Sequence, residues 1–142
     1  MGDRGNIEIK QHKNCDSVFL YTHWRGSYVN IALARAIKKS GHRCSDPSYF
    51  TRIALNELQG DDRSTSGFGI CVGQPDDNEH PIPKVFWDPD NGLSINHPTV
   101  VNTLGTRTGE QWIEWVKETY PDADLEIRDD ADWTSTLEEI DG

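Results

Sequence analysis

The sequence predicts an α+β fold in which an antiparallel sheet of about five strands is covered by helices. Short apolar or alternating segments, bounded by polar turns, are typical of strands and recur along the chain. Two consecutive helical patterns separate the second and third of these segments, and a third helical pattern follows near the C terminus. This grouping is typical of an α+β domain. At 142 residues, the chain is long enough for one domain with a hydrophobic core.

The first two strands are predicted at residues 7–11 and 18–24. Apolar and polar side chains alternate in the first segment, which is typical of a strand with one exposed face. The second segment is apolar on both faces, which favours a central position in the sheet. The polar turn between the two segments predicts a hairpin.

Two helices are predicted next. In the first, apolar side chains recur at helical spacing over residues 29–37, with Ser27 as the expected N-cap and Gly41 as the end. The second helix begins at Asp46, because Asp accepts hydrogen bonds from free backbone N–H groups and the proline after it fits the first helical position. Gly60 is the expected end of this helix.

The third strand is predicted at residues 67–73, where large apolar side chains alternate with glycine or cysteine. Glycine weakens a strand, so this face of small residues indicates that a helix, a large aromatic ring or a ligand approaches the backbone closely. The remaining strands are predicted at residues 84–87 and, after the turn signal Asn91-Gly92, in a short segment that ends at Ile95.

The last predicted helix begins at Thr108 and ends near Thr119. Thr108 is followed three residues later by glutamine, which is the spacing of a capping box. Residues 98–104 favour neither helix nor strand. We therefore predict a single domain over residues 1–120, followed by an acidic extension over residues 121–142 that is partly docked or flexible.

The distribution of charge gives the first indication of function. The chain has 24 acidic and 14 basic residues and a net charge of −10, yet residues 17–45 contain no Asp or Glu and several Arg and Lys. We call residues 17–45 the basic segment. An acidic protein that keeps one segment purely basic is expected to hold an anionic group there. The net charge of the whole chain argues against nucleic acid as that partner.

The candidate ligand site lies where the second strand ends and the first helix begins. There Arg25 can bind a phosphate through two N–H groups, and Tyr21 or Trp24 can stack on a base. His23 can donate or accept a proton, and the free N–H groups of the new helix favour an anion. A purely structural role for these side chains stays open. The predicted ligand-binding residues are Tyr21, His23, Trp24, Arg25, Arg35, Lys38 and Lys39.

Other chemistry has little support in the sequence. No signal peptide or membrane-spanning apolar run is present, which predicts a cytoplasmic protein without a membrane partner. Residues 76–80 contain hard-metal ligand types but lack the pattern of a calcium loop, and the three cysteines lack a Cys-x-x-Cys pair. We therefore predict no cofactor, no metal and no catalytic residue. Enzymatic activity stays open, with binding favoured because no catalytic motif is present.

Four segments of the chain carry a resemblance to known proteins. They are Tyr21-Thr22-His23-Trp24-x-Gly26, Asp46-Pro47-Ser48-Tyr49-Phe50-Thr51-Arg52-Ile53, Ser66-Gly67-Phe68-Gly69-Ile70 and Asn78-Glu79-His80-Pro81. The chain resembles, over roughly residues 3–95, a family of small uncharacterised proteins from tailed phages, prophages, actinobacteria and haloarchaea. The resemblance implies an accessory protein of a virus or mobile element, and the acidity fits a haloarchaeal host. The family has no established activity, so the resemblance implies no catalytic residues.

The sequence leaves several functions open. The leading hypothesis is a binding protein that sequesters a phosphate-bearing small ligand, such as a nucleotide signal of host defence. The second is a metal-assisted hydrolase of a nucleotide or phosphodiester, in which His23 acts with acids from the set Asp61, Asp62, Asp76, Asp77 and Glu79. The third is an acidic interaction module that blocks a host protein through residues 110–142. Alternatively, the acidic extension folds over the basic segment and neutralises it.

Overall fold

The computed structural model describes residues 2–62, 64, 66–98 and 106–127. The elements within these ranges are β1 (Gly5–Lys10), β2 (Val18–Thr22), α1 (Val29–Ser40), α2 (Pro47–Gln59), β3 (Phe68–Val72), β4 (Lys84–Asp88), β5 (Gly92–Asn96), β6 (Arg107–Thr108) and α3 (Gly109–Thr119). Short 3₁₀ turns at Gly26–Tyr28 and Gly41–Ser45 flank α1. The predicted α+β class is confirmed.

The strands form one sheet in the order β3-β2-β1-β4-β5-β6. Neighbouring strands are antiparallel except at the centre, where β1 and β4 are parallel. The predicted antiparallel pairing throughout the sheet is therefore wrong, because the sheet is mixed; it has six strands within the described residues, where about five were predicted. The connection at residues 73–83 carries the chain across β2 and β1, so β4 pairs with β1 instead of forming a hairpin with β3. The additional strand, β6, has two residues and is too short to leave a periodic pattern.

The helices pack against the sheet through a continuous apolar core. Helix α1 contacts β1, α2 contacts β2, and α3 contacts both β5 and α1. In the core, Trp112 Nε1 donates a hydrogen bond to the carbonyl oxygen of Asn30 at 3.2 Å, so the buried indole has a polar partner. The largest fully buried apolar side chains are Ile7, Ile9, Leu20, Val29, Leu33, Phe50, Leu58, Val85, Ile95, Trp112 and Val116.

The starts of the helices test the capping predictions. Asp46 accepts hydrogen bonds from the backbone N–H groups of Ser48 and Tyr49, and Thr108 forms a complete capping box, so both predicted N-caps are confirmed. The predicted N-cap Ser27 is wrong. Helix α1 begins at Val29 after a 3₁₀ turn that contains Ser27, whose side chain makes no capping hydrogen bond. The Ser27 hydroxyl instead donates to a distant carboxylate, described below.

The connection between β3 and β4 covers the face of the sheet opposite the helices. Asn6 lies on this face, because it alternates along β1 with the core residue Ile7. Its side-chain Nδ2 lies 3.3 Å from the carbonyl oxygen of Asp76, 3.4 Å from that of Asp77 and 3.2 Å from Asn78 Oδ1. These contacts bury Asn6 completely and hold the acidic connection on the sheet.

The segment after α3 returns along α1. Leu125 is buried in the core cluster, and Arg35 Nη1 donates to the carbonyl oxygens of Asp124 at 2.7 Å and Glu126 at 3.3 Å. The first residues of the predicted acidic extension are therefore attached to the domain. Residues 128–142 of that extension, and residues 99–104 of the ambiguous region before α3, lie outside the described residues.

Candidate functional site

Trp24 follows β2 and packs directly on a glycine. A Cβ atom at Gly67 would lie 2.0 Å from Trp24 Cζ3, so any side chain at that position would displace the indole ring. Gly67 also has a φ of +91°, which glycine adopts readily. The aromatic ring is therefore what approaches the backbone at this end of the glycine-rich strand. Although fixed in this way, Trp24 remains 51% exposed.

His23 contacts both aromatic residues that were predicted with it. Its Nδ1 lies 3.0 Å from the Tyr21 hydroxyl, and its ring stands almost perpendicular to that of Trp24 with centroids 4.9 Å apart. Burial raises the pKa of Tyr21, and the negative charge of Asp76 acts in the same direction. Tyr21 is therefore a neutral phenol at pH 7. When its hydroxyl donates to Nδ1, the imidazole N–H lies on Nε2.

Arg25 lies at the end of α2. Its Nη1 donates to the carbonyl oxygen of Leu58 at 3.0 Å, and its guanidinium lies over the ring of Tyr28 at 4.2 Å from the centroid. A cation at this position is favourable because the free carbonyl groups at a helix C terminus carry partial negative charge. The backbone N–H of Arg25 donates to Thr22 Oγ1 at 3.0 Å, which fixes the turn that leaves β2. These contacts give Arg25 a structural role.

Arg35 and Lys39 are brought together by a carboxylate. Arg35 Nε lies 3.0 Å from Glu57 Oε2, and Lys39 Nζ lies 3.5 Å from Glu57 Oε1. Glu57 is buried, with 9% of its surface exposed. Glu57 precedes Leu58, the residue that accepts from Arg25, so three cations surround the last turn of α2. Carboxylates interact with all three cations: Glu57 with Arg35 and Lys39, Asp124 with Arg35, and Asp62 with Arg25.

Lys38 lies apart from both groups. It lines a groove of about 220 Å³ between α1, α3 and the segment that follows α3. Lys117 and Glu126 also line this groove, and Lys117 Nζ lies 3.3 Å from Glu114 Oε1. The groove therefore contains charges of both signs. The predicted site residues thus occupy three places: the end of β2, the pair around Glu57, and this groove.

Three residues that sequence reasoning missed meet beside the end of β2. Asp3 Oδ2 accepts hydrogen bonds from the Ser27 backbone N–H at 2.9 Å and hydroxyl at 2.6 Å, and Asp3 Oδ1 contacts His80 Nε2. These contacts, the Ser27 hydroxyl foremost, lower the pKa of Asp3 from 3.8 to about 2. Because the carboxylate lies between serine and histidine, this is not the arrangement of a nucleophilic serine. No sequence signal could have found it, since the partners are 24 and 77 positions from Asp3.

The acidic connection is held by ion pairs to the N-terminal segment. Arg4 Nη1 lies 3.3 Å from Asp77 Oδ2, and Arg4 Nε lies 3.8 Å from Glu79 Oε1. Over the part of the chain that the structure describes, no three or more His, Cys, Asp or Glu side chains are grouped so that they could hold a metal ion.

Comparisons with models of protein families, with curated proteins and with solved structures gave no match for this chain. The site therefore has to be interpreted from its own residues. Among the helices in the described ranges, none has the length and apolar character needed to cross a membrane.

Proposed function

We propose that this protein binds and sequesters a small ligand that carries a planar ring and a phosphate group, such as a nucleotide. The observation that carries the proposal is the placement of Trp24. Its ring is held against Gly67, yet half of the residue stays accessible to solvent. An aromatic ring that is both fixed and exposed favours stacking, because little conformational entropy is lost when a base packs on it.

The neighbours of Trp24 supply the polar contacts that such a ligand needs. The ring of His23, oriented by Tyr21, presents a hydrogen-bonding edge next to the indole. The guanidinium of Arg25 is permanently charged and has five N–H donors, of which one is bound to Leu58. The other predicted cations of this region, Arg35 and Lys39, are paired with Glu57, so Arg25 is the cation that we assign to the ligand. We assign the ring of the ligand to Trp24 and the phosphate to Arg25.

The biological setting of the proposal comes from the sequence resemblance described above. An accessory protein of a virus or mobile element commonly acts by occupying a molecule rather than by converting it. Sequestration of a nucleotide signal needs affinity and a fixed site, and it needs no catalytic group. We therefore propose binding without turnover, in the host cytoplasm.

The test is a thermal-shift screen with a panel of mono-, di- and cyclic nucleotides, followed by titration with the best binder. We expect Trp24→Leu to weaken binding at least about fivefold, because base stacking on an aromatic ring contributes about 1–3 kcal/mol. Tyr49→Leu is the matched control, since Tyr49 is also 51% exposed but lies on α2. Absence of any shift across the panel, or equal losses in both variants, would refute the proposal.

A second candidate, an acidic interaction module, is favoured by the surface of α3. Glu110, Glu114 and Glu118 are all exposed and are spaced four residues apart, so their carboxylates lie along one face of the helix. Such a face can bind a basic protein partner. If this is the function, replacing the three glutamates by glutamine should remove a host protein that the wild type captures, while nucleotide binding by the same variant stays unchanged.

A further inference from the structure

Strand β3 forms one edge of the sheet, and its backbone groups show which residues face outward. Gly67 O accepts from the His23 N–H at 2.8 Å, and the Gly73 N–H donates to Ser17 O at 2.8 Å, so the odd-numbered residues bond to β2. In a strand, alternate residues direct their N–H and C=O groups to opposite sides. Phe68, Ile70 and Val72 therefore direct theirs away from the sheet. Within the described ranges, no strand lies beyond β3.

The same residues expose apolar side chains. Ile70 is 58% exposed and Val72 is 68% exposed, the two largest values among the exposed large hydrophobic residues of the described chain. Natural sheets usually protect an edge with charged residues, proline or a bulge. Residues 66–74 contain no charge and no proline, and β3 pairs with β2 in continuous register over all five of its residues. This edge thus lacks each of those three protections.

We propose that β3 is a dimerisation edge, which pairs antiparallel with β3 of a second copy of this chain. The register follows from the outward-facing residues. With the two-fold axis at Ile70, each Ile70 lies opposite Ile70 of the second copy, and each Phe68 lies opposite Val72 of the second copy. Every outward N–H and C=O of the strand then has a partner, because each of these pairs exchanges two backbone hydrogen bonds. The exposed Ile70 and Val72 side chains become neighbours across the interface.

The charge of the chain favours β3 over charged surfaces as the place where a second copy approaches. Two molecules that each carry a net charge of −10 repel one another, and β3 itself carries no charge, so the repulsion at this edge comes from neighbours such as Asp76, whose Oδ2 lies 4.0 Å from Cys71 Sγ. A strand of five residues is short, so its pairing buries less surface than a permanent dimer needs. We therefore expect an equilibrium that depends on concentration. Salt should strengthen the dimer, because it screens the repulsion between the two acidic molecules.

The first experiment is sedimentation equilibrium of the full chain over a hundredfold range of concentration, in 0.1 M and 1 M NaCl. We expect a dimer whose dissociation constant decreases in high salt. Ile70→Lys should raise that constant at least tenfold, because it brings two ammonium groups together at the axis. Tyr49→Lys is the control with equal charge and similar initial exposure, and it should leave the constant within twofold of the wild type.

The second experiment tests the register by disulfide formation, in a background where Cys15 and Cys71 are replaced by serine. In the proposed register, the Cα atoms of the two Ile70 residues are about 5.5 Å apart, within disulfide range, whereas those of the two Val72 residues are more than about 13 Å apart. Ile70→Cys should therefore cross-link on oxidation and Val72→Cys should not.

Several outcomes would overturn the proposal. One is a protein that is monomeric at every concentration of protein and salt. Such a monomer would overturn the proposal whether hydrogen exchange shows the outward β3 amides to be free or to be protected by another segment of the chain. A dimer that Ile70→Lys leaves intact, or one that cross-links through position 72 and not through position 70, would do the same. Because none of these readouts involves a ligand, the result is independent of the proposed nucleotide binding.

Discussion

Replacing Glu57 by glutamine should destabilise the protein, because this buried carboxylate holds two cations. Arg35 donates to it at 3.0 Å and Lys39 Nζ lies 3.5 Å away. A hydrogen bond to a charged group contributes about 1.5–3 kcal/mol and a neutral one about 1 kcal/mol. Arg35 keeps its bonds to the carbonyl oxygens of residues 124 and 126, so the loss stays below the 3–5 kcal/mol typical of a stranded charge. We therefore expect the free energy of unfolding to decrease by about 1–2 kcal/mol.

The assay is urea unfolding followed by tryptophan fluorescence and circular dichroism. Glu114→Gln is the matched control, because Glu114 is 67% exposed and its ion pair with Lys117 is worth about 0.2–1 kcal/mol at most. High salt should remove the small effect of the control and leave that of Glu57→Gln largely unchanged, because a buried pair is screened less. A Glu57→Gln protein as stable as the wild type, or no less stable than the control, would refute the reasoning.

Two further predictions concern the end of β2. Gly67→Ala should lower the free energy of unfolding by more than about 1 kcal/mol, because its Cβ would overlap Trp24 and the φ of +91° is unfavourable for alanine. Urea unfolding measures this loss, and acrylamide quenching of fluorescence reports the displaced indole. Unchanged values in both measurements would contradict the prediction. Hydrogen bonds from Ser27 and His80 depress the pKa of Asp3 to about 2, so their stabilisation is present above about pH 4 and is lost as the pH falls toward 2. Asp3→Asn should therefore be less stable than the wild type at pH 6 and approach it near pH 2, and a difference that does not change with pH would argue against this role.

The sequence predicted only part of the arrangement of the candidate site residues, and the contacts of particular residues explain why. Tyr21, His23 and Trp24 are neighbours in the chain, so their proximity needed no tertiary information, and the glycine-rich pattern of β3 correctly indicated a close approach. The sequence could not show that Arg35 and Lys39 face Glu57, because that contact depends on how α1 packs on α2. The absence of Asp and Glu from residues 17–45 suggested one basic surface, whereas helical geometry directs Arg35 and Lys39 to Glu57 and Lys38 to the groove beside α3.

The sequence alone determined much of the local structure of the chain, although not the start of α1 or the two-residue strand β6. Two kinds of local signal were sufficient: the capping groups at Asp46 and Thr108, and the apolar periodicity of α1 and α2. Both act over three or four residues, so they can be recognised in the sequence without knowledge of the fold. Only the tertiary structure decided the order of the strands, the parallel pairing of β1 with β4 and the contacts of Asp3 with Ser27 and His80. These pairings and contacts join residues far apart in the chain. The free energy that selects them comes from apolar surface that is buried only when distant segments pack together, so no single segment of the sequence shows it.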